Sequence, residues 1–231
     1  MKYNKLVLFL LLFGGFFVLS AQDIITAERY LSIVGERYGS IRDYEARIDI
    51  RSGNSTMRGT VSHLSPSLLR IDFSDPQDQV IVFNGEMLTI YLPEYRAALN
   101  QSINTPGRRA GPSGGASLAT SQGLALLRRN YIPAFVTGPD PVPLESGSSE
   151  QVIKIRLTRR SVSEGFREIL LDINPETYLI RRIEGRTIAD SVVRFDFANI
   201  SINQGIPEQR FVYDSPASAN VYNDFLFRDA D

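Results

Sequence analysis

Side chains that could perform chemistry are few in this sequence. The chain has one histidine, His63, and no cysteine. One imidazole makes a Ser-His-Asp triad or a histidine-based metal site hard to build. The absence of cysteine excludes disulfides, thiolate ligands and cysteine nucleophiles. His63 could still act as a pH switch, although a lone histidine near a strand end is more often a hydrogen-bonded or solvated residue.

Two further motifs lack the spacing that their chemistry requires. Asp72, Asp75 and Asp78 do not follow the Asp-x-Asp-x-Asp-Gly pattern of a calcium loop, so a solvated turn is favoured. The glycine-rich segment 111–115 lacks the Gly-Lys-Ser/Thr of a phosphate-binding loop, and a flexible loop is favoured there. We therefore predict a protein that is not an enzyme and that uses no metal or cofactor.

The charge balance excludes another class of partner. Lysine and arginine number 25 against 26 aspartates and glutamates, for a formal net charge of -1. No basic face dominates, so we expect no nucleic-acid partner. A chain of 231 residues with 43% hydrophobic side chains is sufficient for one large all-β domain.

The N-terminus has the three parts of a secretory signal peptide. Lys2 and Lys5 precede an apolar run over residues 6–19, and small residues follow up to Ala21. The alternative is a membrane anchor, but the run is shorter than the roughly 20 residues of a spanning helix. We expect cleavage after Ala21 and a single exported domain over residues 22–231.

Hydrophobic periodicity predicts a mainly β chain with two helices. Apolar residues recur at helical spacing over 23–39 and again over 118–130. From Asp43 the period changes to two, which is typical of half-buried strands. Asn84-Gly85 predicts a hairpin turn. Strands are also expected over 152–159, 166–173, 178–186, 190–200 and 211–213.

A sheet and two amphipathic helices that each carry one apolar face are expected to pack together, with the sheet curving over the helices. The residues predicted to line the inner face, and hence a ligand cavity, are Leu69, Ile71, Phe73, Leu88, Ile90, Ile155, Leu157, Leu170 and Ile180. A packed core uses the same residue types, so that alternative stays open. A register slip of one residue would move a side chain to the opposite face.

Part of this pattern resembles the LolA family of periplasmic lipoprotein carriers. Pro66 stands ahead of Leu69 and Arg70, and an apolar strand, the Asn84-Gly85 turn and a strand ending in Tyr91-Leu92-Pro93 follow. Segment 211–216 is similar to the closing Phe-x-Phe-x-x-Pro of that family. Family members typically carry an arginine immediately before this proline, where the present chain has Ser65.

The resemblance implies an open antiparallel β-barrel of about eleven strands, wrapped over the N-terminal and mid-chain helices, with an apolar cavity under a helical lid. It implies a periplasmic monomer that takes lipoprotein acyl chains, or another lipid, from an inner-membrane transporter to an outer-membrane receptor. The residues that would line the lid are Leu118, Leu126, Ile132 and Phe135.

Two functions are compatible with these features. The first is a carrier that delivers lipoproteins or another lipid toward the outer membrane. The second is an envelope sensor or scaffold of the same fold that binds lipoproteins or a protein partner without transporting them. A continuous apolar cavity would favour the carrier, and a collapsed cavity beside a large exposed apolar patch would favour the sensor.

Overall fold

The computed structural model describes residues 25–103 and 118–225. The predicted signal peptide over 1–21 and the glycine-rich segment 111–115 lie outside these ranges. None of the helices within the two described ranges is long and apolar enough to cross a membrane.

One large sheet dominates the described residues. Its strands are β1 Asp43–Ser52, β2 Ser55–Leu64, β3 Leu68–Asp75, β4 Gln77–Phe83, β5 Met87–Leu92, β6 Ala97–Ser102, β7 Tyr131–Phe135, β8 Val142–Pro143, β9 Gln151–Arg159, β10 Phe166–Ile173, β11 Ile180–Thr187, β12 Val192–Ile202 and β13 Asn220–Asn223. The order across the sheet is β13-β6-β5-β4-β3-β2-β1-β12-β11-β10-β9-β7, and β8 pairs with β9 off this path.

All neighbouring strands pair antiparallel except β13, which runs parallel to β6. The predicted mainly β architecture, an open antiparallel sheet with helical cover, is therefore confirmed. The described residues form 13 strands where the resemblance implies about eleven. The short elements include the two-residue β8 and the four-residue β13.

Two capped helices cover one face of the sheet, which we call the inner face. Helix α1 spans Ala27–Gly39, and the Thr26 hydroxyl accepts a hydrogen bond from the Arg29 N–H at 3.2 Å. Helix α2 spans Ser121–Asn130 and is capped in the same way by Thr120. Such caps satisfy donors that the first helical turn leaves free. The two helices pack against each other and against β7.

The main core lies between these helices and strands β1–β3 and β9–β12. Its fully buried side chains include Leu31, Ile48, Leu124, Ile155, Leu157, Ile169, Leu171, Ile173, Ile180 and Ile183. A cavity of about 10 Å³ remains among Tyr38, Tyr44, Ala119 and Ile180. That volume corresponds to about one water molecule, so protein side chains fill this half of the molecule.

The predicted turn at Asn84-Gly85 is confirmed. The Asn84 side-chain oxygen accepts from the N–H groups of Glu86 and Met87, at 3.1 and 2.8 Å. Asn174 forms a turn of the same kind between β10 and β11, where its oxygen accepts from Glu176 and Thr177. A short polar side chain that bonds to the backbone two and three residues on is typical of tight turns.

The prediction of a last strand over residues 211–213 is wrong. Glu208–Phe211 form a 3₁₀ turn, and the last strand is β13. Residues 203–224, here called the C-terminal strap, leave β12 and end at the far edge of the sheet beside β6. Phe211 is buried and Val212 is exposed. The alternating pattern over residues 211–213 therefore comes from a part of the strap that packs against the sheet without pairing to it.

Candidate functional site

Two rows of apolar side chains lie on the inner face of the sheet, the first across strands β3–β5 and the second across strands β3–β6. In the first row Leu69 is opposite Phe83, and Phe83 is opposite Leu88. The second row contains Ile71, Ile81, Ile90 and Leu99. Residues directly opposite each other on neighbouring strands point to the same side of a sheet. We call these seven side chains the open face.

Side chains of the open face are less completely buried than those of the main core. Six of the seven are half-buried, and only Ile71 is buried. This contrasts with the inner face of β9–β12, where Leu157, Leu171 and Ile183 are fully buried. Contiguous exposed apolar surface marks binding sites in soluble proteins, which makes the open face the candidate ligand-binding surface.

Four of the predicted cavity residues lie together in these rows: Leu69, Ile71, Leu88 and Ile90. Phe73, also predicted, is buried and belongs to the main core. The sequence prediction missed Ile81, Phe83 and Leu99. The missing signal was alternation, because Val80–Phe83 is apolar at every position and does not show which side chains point inward.

Three predicted cavity residues lie where protein already fills the space. Ile155, Leu157 and Ile180 are fully buried in the core. Their contact with a ligand stays a prediction, and it would require the helices to move away from the sheet.

The face predicted for Leu170 is corrected by the strand register. Leu170 is opposite Arg156 on β9 and Glu184 on β11, on the outer face of the sheet. Its neighbours Ile169 and Leu171 point inward and are buried. Three consecutive apolar residues hide the period of two, so the sequence placed Leu170 one position out of phase.

The predicted lid residues separate into two pairs. Leu118 and Phe135 pack against the main core. Leu126 and Ile132 are 47% and 50% exposed, so their predicted position on the inner side of a lid is corrected. The buried face of α2 consists of Leu124 and Leu127, with Gly123. Residues 131–135 form strand β7, in which Ile132 alternates outward.

His63 closes the first row at strand β2, opposite Leu69. Its Nδ1 lies 2.8 Å from the Leu68 carbonyl oxygen, so this nitrogen carries the hydrogen and donates. Its ring centroid is 5.2 Å from that of Tyr44. Burial lowers the pKa of His63, which keeps the imidazole uncharged at the end of an apolar row. Within the described ranges, no three His, Asp or Glu side chains are grouped to hold a metal ion.

The C-terminal strap covers the outer face behind these rows. Tyr213 and Ala219 pack on Val80, Val82, Tyr91 and Ala98. Arg70 and Asp72 hold the strap in place, because Arg70 Nη1 donates to the Arg210 carbonyl oxygen at 3.1 Å and Arg210 Nη2 donates to Asp72 at 2.6 Å. The guanidinium of Arg70 also lies 5.5 Å from the centre of the Tyr213 ring.

Comparison with known proteins shows which solved structures have a similar fold. No family model matches the sequence, and no curated protein does. Solved structures with TM-scores above 0.5 share the fold of this chain. An uncharacterized conserved protein from Thermus thermophilus superposes with a TM-score of 0.54 at 14% identity, over 85% of this chain and 98% of that one. A LolA superfamily protein from Nitrosomonas europaea has a TM-score of 0.43 at 14% identity, over 82% and 98% of the two chains.

A third similar structure is a chain of the MucA/MucB complex from Pseudomonas aeruginosa. Its TM-score is 0.51 at 14% identity, over 85% of this chain. The present chain spans 63% of that longer chain. At identities this low the superpositions show a shared fold alone, and function must be argued from the residues themselves.

Proposed function

We propose that this protein binds the acyl chains of a lipoprotein, or of another lipid, on its open face and carries them through the periplasm. The observation that supports this proposal is the pair of adjacent apolar rows, half-exposed, that cross strands β3–β6. Each methylene moved from water to such a surface contributes about 0.8 kcal/mol. Ten methylenes would contribute about 8 kcal/mol, which is partly offset by the loss of ligand freedom.

Strand β4 gives this proposal a second support. Val80 and Val82 pack under the C-terminal strap, while Ile81 and Phe83 belong to the open face. A strand that is apolar at every position is typical of a sheet covered on both faces. The strap supplies one cover, and an acyl chain would supply the other.

Delivery would require partners that accept and release the cargo. The resemblance to lipoprotein carriers supports an inner-membrane transporter as donor and an outer-membrane receptor as acceptor. Because the cavity among Tyr38, Tyr44, Ala119 and Ile180 holds about 10 Å³, a cargo that enters there must displace α2. We therefore propose α2 as the lid, with Leu124 and Leu127 on its inner side.

A second candidate is an envelope sensor or scaffold that binds a protein partner and carries nothing. The small cavity beside the apolar open face favours it, as does the similarity to a chain in the MucA/MucB complex, whereas the carrier requires the open face itself to hold acyl chains. In that case the open face would receive apolar side chains of a polypeptide.

Native mass spectrometry with a triacylated lipopeptide separates the two candidates. For the carrier, we expect a one-to-one complex with the residue 22–231 protein, and a co-purifying lipid after expression in a bacterial periplasm. Leu69→Glu and Leu88→Glu should each weaken lipopeptide binding by about tenfold or more, since 1.4 kcal/mol already gives tenfold.

Val162→Glu is the matched control, because Val162 is 79% exposed outside the rows. It should bind as the native protein does, and circular dichroism should show all variants folded. A protein that stays free of lipid and lipopeptide, or variants that bind unchanged, would contradict the carrier proposal and favour the sensor.

A further inference from the structure

A second pocket lies on the outer face of strands β9–β12, opposite the inner face that the helices cover. Its volume is about 160 Å³, well above the roughly 10–15 Å³ that one water requires. Leu170 and Val136 provide apolar wall. The open face plays no part in this pocket, so a ligand bound here is independent of the lipid proposal.

Three cationic side chains line this pocket: Lys154, Arg182 and Arg194. Their side chains are 25%, 12% and 32% exposed. Cations held this far from water lose hydration and need anionic partners close by. Carboxylate or phosphate oxygens are therefore expected close to these three cations.

Each of the three cations is paired with a carboxylate on a neighbouring strand. Asp172 is 3.4 Å from Lys154, and Glu184 is 3.0 Å from Arg194. Asp196 accepts a hydrogen bond from Arg182 Nε. These carboxylates stand on β10, β11 and β12, so the sheet fixes their positions.

Glu145 is a partner of a different kind. It stands on the turn between β8 and β9, and its side chain is 56% exposed. Its carboxylate accepts from Arg182 Nη2 at 2.7 Å and lies 3.8 Å from Arg194 Nη1. Because Glu145 stands on a turn and not on a strand, an external carboxylate could take its place on Arg182 and Arg194 without disturbing the sheet.

We propose that this outer pocket binds a carboxylate that carries a short apolar group, such as the C-terminal residue of a peptide or a free branched acid. The ligand carboxylate takes the place of the Glu145 carboxylate on Arg182 and Arg194. Guanidinium groups favour carboxylates because two N–H donors match two oxygens. The apolar group lies against Leu170 and Val136.

N-acetyl-leucine and N-acetyl-leucinamide are the matched probes, since they differ only at the carboxylate. We expect saturable binding of the acid to the residue 22–231 protein, measured by NMR chemical shifts, and no saturable binding of the amide. Glu145→Gln should tighten binding of the acid by about two- to fivefold, because it removes the carboxylate that competes for Arg182 and Arg194. Glu94→Gln, an exposed glutamate beyond β5, should leave the affinity unchanged.

Arg194→Gln should weaken binding of the acid by about fivefold or more. If that variant does not fold, Arg194→Lys keeps the charge, loses the paired donors and should weaken binding too. Isovalerate then distinguishes the sources, because a free-acid site binds it as well as N-acetyl-leucine and a peptide-end site binds it more weakly. Equal binding of acid and amide, no saturation with either, or unchanged affinity in Glu145→Gln would overturn the proposal.

Discussion

Strands β9–β12 bury their inner side chains beneath α1 and α2, whereas β3–β6 leave most of theirs half-exposed. The outer faces of the two parts differ in polarity: that of β9–β12 is charged and that of β3–β6 is apolar. On β9–β12 a row of charges crosses the strands in the order Lys154, Asp172, Arg182 and Asp196. On β3–β6 the outer face is apolar and lies under the C-terminal strap. The helices thus cover the inner face of one part of the sheet, and the C-terminal strap covers the outer face of the other part.

This difference separates stability from binding. The helix-covered part has its apolar surface removed from water by the protein's own chain, so its side chains stabilise the fold. The open face keeps apolar surface available, so its side chains contribute less to folding and more to association. Substitutions in each part, and at the strap, test this division.

The largest effect should come from truncating a buried leucine in the helix-covered part. Leu171 is fully buried, and Leu171→Ala should lower the free energy of unfolding by about 2–5 kcal/mol. Leu88→Ala, the same change on the half-buried open face, should lower it by about 1 kcal/mol or less. Urea denaturation of both variants measures the difference. Equal losses would contradict the division between the two parts.

A smaller effect should come from releasing the C-terminal strap. Asp72→Ala leaves Arg70 and Arg210, with side chains 15% and 35% exposed, without their shared carboxylate. We expect a loss of about 1–3 kcal/mol in the free energy of unfolding, together with faster amide hydrogen exchange in β13.

The control is Asp75→Ala, on the same strand as Asp72. It removes an exposed ion pair between Asp75 and Arg58 of β2. It should have almost no effect. Unchanged exchange in β13 of the Asp72 variant would show that the strap is held by its apolar contacts alone.

The smallest effect concerns pH. Burial lowers the folded-state pKa of His63 below its ordinary value of 6.5. The unfolded chain therefore takes up a proton before the folded chain does, and stability is lost as the pH falls through 6.5 towards the folded pKa. We expect the Tm to fall between about pH 7.5 and about pH 5.5.

His63→Gln should show a smaller fall in Tm over that interval, because it removes the only imidazole in the chain. Glutamine can still donate to the Leu68 carbonyl oxygen through its amide. Identical pH dependence in the two proteins would assign the loss to carboxylates instead.

Sequence patterns predicted the fold where the local signal was unambiguous. Helix α1 and the turns at Asn84 and Asn174 follow from apolar spacing and turn chemistry. Faces were misassigned where every position is apolar: Leu170 in β10 is one example, and the omission of Ile81 from β4 is another.

Long-range packing escaped prediction for a different reason. Arg70 read as an ordinary strand residue, yet it anchors residues 140 positions away. The contact between Arg182 and Glu145 could not be predicted from the sequence either, because it depends on how the turn before β9 folds over the sheet. Local periodicity carries no information about such contacts.

The two edges of the sheet have a consequence for solubility. A sheet that does not close leaves unpaired backbone groups that invite the addition of further chains and the growth of fibres. At one edge, β7 has Pro133 at its centre, which offers no N–H to an incoming strand. At the other edge, β13 has only four residues, all exposed, with an asparagine at each end. Short or interrupted edges of this kind disfavour the pairing of a further chain with the unclosed sheet.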